Sequence, residues 1–400
     1  MSSVRSKPSP GLVILLGALT AFGALSIDMY LPALPAIAAE FGAGRGEVER
    51  TLASFLAGLA IGQLVYGPLS DRVGRKPPLV AGLALYIAAS VGCALVATTA
   101  AMVAARFAQG LGACAALVVS RAIVRDRFDH QDSARVFSTI MLVFGLAPVL
   151  APLVGGYVML GIGWRGIFGL LAAFGAVVLL IVLVRLPESR SAATEATARG
   201  EHPLTALRLL GGNPRLVGYM LGGAYNSASL FTYISASPEV LMGQYGVGPT
   251  AYGWLFGLNA LGMVIASQIN RWLLGRYPAD RILAVAAVAV LVWGAVLVVI
   301  AATGAGQLAG IMAALFGVIS SYGFIFSNAN AGALSVDPLR AGSVSALMGA
   351  TGFAVGALAM TVTGLFADGT ARPMAITMAT ALALACASLF GVAFRAGSGR

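Results

Sequence analysis

Long apolar runs separated by brief polar ones dominate the chain. Twelve apolar stretches, near 12–37, 49–69, 78–98, 102–122, 136–160, 164–184, 215–237, 250–270, 281–301, 306–329, 341–365 and 372–394, match the roughly 20 residues a helix needs to cross a hydrocarbon core. A membrane barrel would show shorter, alternating segments, so spanning helices are expected. One polar interruption is long: residues 185–214 carry Pro187, Glu188, Arg190, Glu195, Arg199, Glu201 and Pro203. It predicts two six-helix bundles, 1–184 and 215–400, joined by a linker over 185–214. The tetrapeptide Gly74-Arg75-Lys76-Pro77 recurs as Gly275-Arg276-Tyr277-Pro278 about 200 residues later. Repeated halves of this kind allow a central site to face either side of a membrane in turn.

Composition supports the membrane reading. Mean hydropathy is +0.90 and only 10% of residues are charged, against roughly 25% in a soluble domain. The net charge of +10 does not imply nucleic acid, because the basic residues are scattered between apolar runs and form no single face. With the N-terminus placed in the cytoplasm, twenty of the 25 Lys and Arg residues fall on the inner side and four on the outer, leaving Arg106 within a span. Both termini are therefore expected in the cytoplasm and the protein in the inner membrane. The first stretch is expected to remain as a span, since no small-residue cleavage site ends it. Cys93, Cys114 and Cys386 have no paired spacing, and no Walker, CxxC or zinc signature occurs. No metal or cofactor is expected, nor a catalytic centre.

The chemistry lies in polar groups within the spans. Asp28, in Leu25-Ser26-Ile27-Asp28-Met29-Tyr30-Leu31-Pro32, is the carboxylate deepest in a predicted span. Its cost in lipid demands an interior position, where a change of surroundings could load and release a proton. Alternatively it caps a break near Pro32 and Pro35 or holds a permanent ion pair. Arg106 begins span 4 and keeps its proton, so it can tune a carboxylate, pair with an anion, bond helix-end carbonyls, or snorkel to the nearby edge.

Between spans 2 and 3, Gly67-Pro68-Leu69-Ser70-Asp71-Arg72-Val73-Gly74-Arg75-Lys76 combines turn glycines with charges suited to a latch at the cytoplasmic surface. Gly67, Asp71, Arg72, Gly74 and Arg75 are the candidate gate. Gly145, Pro148, Pro152, Gly155 and Gly156 predict a kinked span 5 that acts as a hinge. Tyr30, Tyr225, Asn226, Tyr233, Asn259, Phe324 and Asn328 offer neutral hydrogen bonds and apolar surface, which suits an amphipathic cargo; helix-to-helix bonding explains any one of them equally well. Glu239 is expected near the exterior, with Asp280 and Asp337 at helix ends. His130 and His202 fall in cytoplasmic loops.

The Gly67 to Lys76 signature, Arg106-Phe107-Ala108-Gln109-Gly110-Leu111-Gly112 and the Gly/Pro-rich span 5 resemble the major facilitator superfamily. The segment Leu25 to Pro35, with Gly163-Trp164-Arg165 and Ser235-Ala236-Ser237-Pro238, is similar to Bcr/CflA drug-resistance exporters. Span 5 departs from the common antiporter pattern at Ala147, where that pattern often has glycine. The resemblance implies a twelve-helix, all-α fold and a monomer exchanging protons for small drugs such as bicyclomycin, phenicols or sulfonamides. It carries proton coupling to Asp28 and Arg106, and the gate to Asp71, Arg72 and Arg75. Uptake or export of a physiological metabolite is the alternative.

Overall fold

The computed structural model describes residues 9–44, 46–128, 130–190, 210–337 and 340–397. Ser9 caps α1 (Pro10–Asp28), which stops because Pro32 lacks an N–H to continue it. A 3-10 turn (Leu31–Ala33) and α2 (Leu34–Phe41) complete the first crossing, which the sequence read as one stretch over 12–37. There follow α3 (Glu49–Val73), α4 (Lys76–Leu95), α5 (Thr99–Arg127) and α6 (His130–Arg185). The later helices are α7 (Pro214–Pro238), α8 (Pro249–Leu274), α9 (Ala279–Thr303), α10 (Gln307–Val336), α11 (Ala341–Leu365) and α12 (Arg372–Ser388). π-helical turns extend α7 over Glu239–Gln244 and α12 over Leu389–Ala393.

Among the described residues, ten helical stretches are long and apolar enough to cross a membrane, where the sequence predicted twelve. Two facts account for the difference. The stretch Ala147–Arg185 includes Gly163, whose backbone is non-helical. Gly155 lies against Met29, and Phe168 against the adjacent Tyr30 with ring centroids 5.3 Å apart. A straight helix would hold positions 155 and 168 about 20 Å apart, so α6 folds back at Gly163. The second fact is α7, a 25-residue helix rich in Gly, Ser, Asn and Tyr, which is too polar to count as an apolar stretch.

Two groups of helices emerge from the packing. Helices α1 and α3–α6 contact one another, as do α7–α12, and the groups meet mainly through α3 with α11 and α6 with α8. Small residues line that seam. Gly46 opposes Gly364, Leu56 opposes Gly356, and Gln63 opposes Gly349 between α3 and α11. Between α6 and α8, Gly156 meets Pro249, Leu153 meets Gly253, and Val149 meets Gly257. In lipid, where no water is expelled between helices, such close approach supplies the attraction. Among the described residues, no hydrogen bond or ion pair joins the two groups. These approaches run from one rim, here the far face, to about mid-helix. The opposite rim, which carries the α6–α7 link, is the linker face.

Pro148 and Pro152 stand inside α6, and Gly155 and Gly156 follow them at the seam. Gly145 belongs to the helix, but its surroundings lie outside the described residues. A Cβ on Gly155 would sit 2.1 Å from the Met29 carbonyl oxygen, whereas one on Gly67 meets nothing within 4 Å. Gly155→Ala is therefore expected to destabilise the protein by about 1–3 kcal/mol, and Gly67→Ala to leave stability intact. Thermal unfolding of the purified protein in detergent distinguishes the two.

Candidate functional site

The break in α1 creates the central site. In a regular helix the Ser26 carbonyl would accept the Tyr30 N–H, but that N–H bonds Ile27 O at 3.3 Å. Arg106 takes the vacated acceptor, its NH1 donating to Ser26 O at 3.0 Å. The same nitrogen donates to Gln109 Oε1 at 2.6 Å, and Gln109 passes the chain on to Ser90 Oγ at 2.8 Å. The guanidinium is fully buried, with its carbon 4.7 Å from the Tyr30 ring centroid and 4.4 Å from that of Phe55. Aromatic faces stabilise a desolvated cation. Of the options open for Arg106, the structure realises the helix-end carbonyl and excludes snorkelling. Tyr30 donates to or accepts from Thr51 at 3.0 Å, so it belongs to this cage.

Asp28, at the last turn of α1, is 4% exposed and makes no hydrogen bond or ion pair among the described residues. A permanent ion pair with Arg106 is absent. The break that follows it packs against α6, α7 and α8, so the carboxyl sits where the two groups of helices meet. Tyr233 and Tyr252 lie within its electrostatic reach.

The neutral residues divide by surroundings. Asn259 Nδ2 donates to Tyr233 Oη at 3.0 Å and the Tyr233 ring stacks on Phe256, which joins α7 to α8. Asn259 Oδ1 and Asn226 Nδ2 are buried without a hydrogen-bond partner. Asn328 donates to Asn270 Oδ1 at 2.8 Å and to Phe324 O at 2.9 Å, a bond between α10 and α8. Tyr225 and Phe324 are half-buried.

At the linker face, Arg75 is 2% exposed and gathers the gate. Its Nε donates to Asp126 Oδ2 at 2.6 Å, and its NH1 to Asp71 Oδ1 at 2.5 Å and Ser70 Oγ at 3.0 Å. Glu188 receives the backbone N–H groups of Arg75 at 2.8 Å and Lys76 at 3.1 Å, capping α4 from the far end of α6. Gly74 has φ +100°, and a Cβ there would lie 2.7 Å from Glu188 Oε2, so glycine is required. Arg72 is exposed, and its carbonyl accepts from Arg190. Every described bond of this cluster stays within the N-terminal helices.

Asp126 and Glu188 were not assigned roles from sequence, although Arg125-Asp126-Arg127 and Pro187-Glu188 stand in view. Nothing in local spacing joins residues 51 to 113 positions apart. The same holds at the far face for Glu40, which accepts from Trp164 Nε1 at 2.7 Å and Arg165 NH1 at 2.6 Å, pinning the turn after Gly163 to α2.

Membrane-length helices sealed along half of one seam, with an unpaired buried acid at a helix break on that seam, define a membrane carrier. Residues 16–361 match the family model described as Major Facilitator Superfamily, and the chain belongs to that family. It is 33% identical over 388 residues to the "Uncharacterized MFS-type transporter YdgK" of Bacillus subtilis (strain 168), covering 96% of both chains. A "Bicyclomycin resistance protein homolog" of Haemophilus influenzae is 31% identical over 366 residues, covering 92% of both. Among solved structures, an inward-facing bacterial homologue of the human lysosomal transporter Spinster matches with TM-score 0.72 at 17% identity, covering 97% of this chain and 98% of that one. The protein is a multi-pass secondary active transporter of a small molecule, not an enzyme.

Two outcomes follow from the linker-face geometry. Asp126 is 8% exposed and Asp71 37% exposed. Asp126→Asn is expected to cost about 3 kcal/mol by stranding a buried charge, and Asp71→Asn less than about 1 kcal/mol; denaturation in detergent measures both. Partial burial works to raise the Glu188 carboxyl, but its four backbone N–H bonds outweigh this and hold it below its ordinary 4.5. Its contribution to stability is therefore complete above pH 4.5 and lost as pH falls through the lower folded value. Glu188→Gln is expected to flatten that acid limb in melting curves.

Proposed function

We propose that this transporter is a proton-coupled antiporter of the cytoplasmic membrane that exports small amphipathic drugs. In this reading the chain crosses twelve times as two six-helix bundles, 1–184 and 215–400, linked by 185–214, with both termini in the cytoplasm. The linker face is then the cytoplasmic face, as the excess of Lys and Arg there supports. The seam closed toward the far face corresponds to an inward-facing conformation. The bundles rock about the glycine-lined seam, with the Pro148, Pro152, Gly155 and Gly156 segment as hinge and the Asp71, Arg72 and Arg75 cluster as the cytoplasmic gate.

The observation that carries this reading is the position of Asp28: buried, without an ion-pair partner, at a break lying against helices of the other half. Bundle motion changes its surroundings and hence its affinity for a proton. Arg106, whose proton is permanent, fixes the break through its bond to Ser26 O. Protonation from outside as cargo leaves, and release inside as cargo arrives, complete the exchange. The relative named for bicyclomycin resistance supports drug export as the direction and amphipathic antibiotics as the cargo class.

A second reading, carriage of a small physiological metabolite by proton coupling or uniport, is favoured by one observation. The unpartnered Asn226 Nδ2, Ser229 Oγ, Thr232 Oγ1 and Asn259 Oδ1 suit a more polar solute with several hydrogen-bonding groups. Counterflow with a metabolite panel in proteoliposomes distinguishes the two cargo classes.

Drug efflux from vesicles, followed with and without a collapsed proton gradient, tests the coupling. Asp28→Asn is expected to reach the membrane in normal amount yet drop gradient-driven efflux to the level of protein-free vesicles. Undiminished gradient-driven efflux by that variant would remove Asp28 from the coupling role.

A further inference from the structure

The tetrapeptide that recurs in the two halves is put to different use in each. Arg75 of the first copy is buried and bonded to Asp71, four residues earlier, and to Asp126. Its counterpart Arg276 is exposed, in the turn between α8 and α9 at the linker face. Four residues before it stands Trp272 instead of an acid, and the Arg276 guanidinium carbon sits 3.9 Å from the Trp272 ring centroid. Arg281 likewise stands 5.4 Å from the Tyr277 ring centroid. Arg271, in the last turn of α8, is a third exposed cation at this end.

Among the described residues, no hydrogen bond or ion pair engages these three guanidinium groups. Asp280 beside them accepts from Tyr219 Oη at 2.6 Å and from Arg215 NH2 at 3.3 Å, and Asp337 accepts from Arg340. Residues 191–209, outside the described residues, carry Glu195 and Glu201 against Arg199 and Arg208, and so bring no surplus of acid. Stacking occupies a face of the guanidinium plane and leaves its in-plane N–H donors available, held in place by a rigid ring. The flanking helices show what those donors meet. Leu258, Leu261, Ile265, Ile269 and Trp272 are exposed at spacings of three and four, one apolar stripe along α8 that ends at Arg276. On α9, Arg281 heads a second stripe through Val285, Val288 and Val292. In a membrane-spanning chain such stripes face acyl chains, and exposed Trp and Tyr at a helix end belong to the headgroup layer.

We propose that the α8–α9 turn binds an anionic phospholipid of the leaflet on the linker side. Arg276 and Arg281 receive its phosphate, and its acyl chains lie along the stripes of α8 and α9. The planar fork of a guanidinium matches phosphate oxygens, and Arg271 adds to the attracting field. A zwitterionic headgroup would bring an ammonium toward three cations, so the site selects net negative charge. Free phosphate would gain the same hydrogen bonds but nothing from the apolar stripes. Neither Asp28 nor the cargo takes part, and the inference does not depend on the proton-coupling reading.

Native mass spectrometry of the full-length protein, titrated in detergent with dioleoylphosphatidylglycerol or dioleoylphosphatidylcholine, counts the bound lipid. Wild type is expected to bind the first anionic lipid at least about tenfold more tightly than the zwitterionic one. Excess inorganic phosphate is expected to leave that binding in place. Arg276→Gln and Arg281→Gln are each expected to weaken binding of the anionic lipid about fivefold, and the triple variant with Arg271→Gln to abolish the preference. Arg276→Lys keeps the charge but loses the stacked fork, and is expected to lose at least about threefold. Arg50→Gln, exposed at the far face, is expected to keep the wild-type preference. Because none of these side chains bonds a described residue, melting temperatures are expected to stay at the wild-type value. Equal affinity for the two lipids, displacement of the lipid by phosphate, or a triple variant that keeps the preference would overturn the proposal. So would Arg276→Lys matching wild type or Arg50→Gln matching Arg276→Gln, since either would reduce the effect to diffuse surface charge.

Discussion

A guanidinium that keeps its proton is buried in the N-terminal half, and the local architecture follows from accommodating it. Burial strips the guanidinium of most of its solvation: its NH1 finds two acceptors, Ser26 O and Gln109 Oε1, while Nε and NH2 have no hydrogen-bond partner among the described residues. A regular α1 would offer none, because its carbonyls would all be spent internally. The break at Pro32 frees the Ser26 carbonyl, and Tyr30 and Phe55 cover the rest of the charge. The same break follows directly on Asp28 and packs against α6, α7 and α8, so that residue lies beside the seam. One defect in a helix thus serves both ionisable groups, and neither needs to be the other's partner.

The seam itself is held without directional bonds among the described residues. Its contacts are of glycine with backbone or with the side chains of Leu56, Gln63, Leu153 and Val149, and such contacts lose roughly a quarter to a half of their attraction once the surfaces separate by about an ångström. A closed face built this way leaves no stranded donors or acceptors when it opens. The linker-face cluster is of the opposite kind: Arg75 is tied to Asp71, Asp126 and the backbone capped by Glu188, all within one half. It makes α3, α4, α5 and the end of α6 a single block, able to move together.

Much of this was legible in the sequence, and the reasons are specific. Apolar runs of bilayer length require only that side chains be counted, so an all-helical protein that spans a membrane many times was visible. Asp28 and Arg106 stood out because charge in such runs is costly. The turn at Gly163 was readable as a gap between two runs. What the sequence withheld was long-range partnership. Asp126 and Glu188 looked like ordinary loop charges until the fold brought them to Arg75. Glu49 looked like the edge of a span until α7 and α11 covered it. Asn328, equally readable as a cargo contact or a strut, is bonded to Asn270.

Among the described residues, the Asp, Glu, Lys and Arg residues that are buried, Asp28, Glu49, Arg75 and Arg106, all belong to the first half of the chain. The second half buries amides, hydroxyls and aromatic rings instead. Substitutions there exchange one neutral group for another and disturb no compensated charge. A neutral exchange in the later helices therefore leaves the electrostatics of the core as they are, whereas loss of a charge in the earlier ones strands its surroundings.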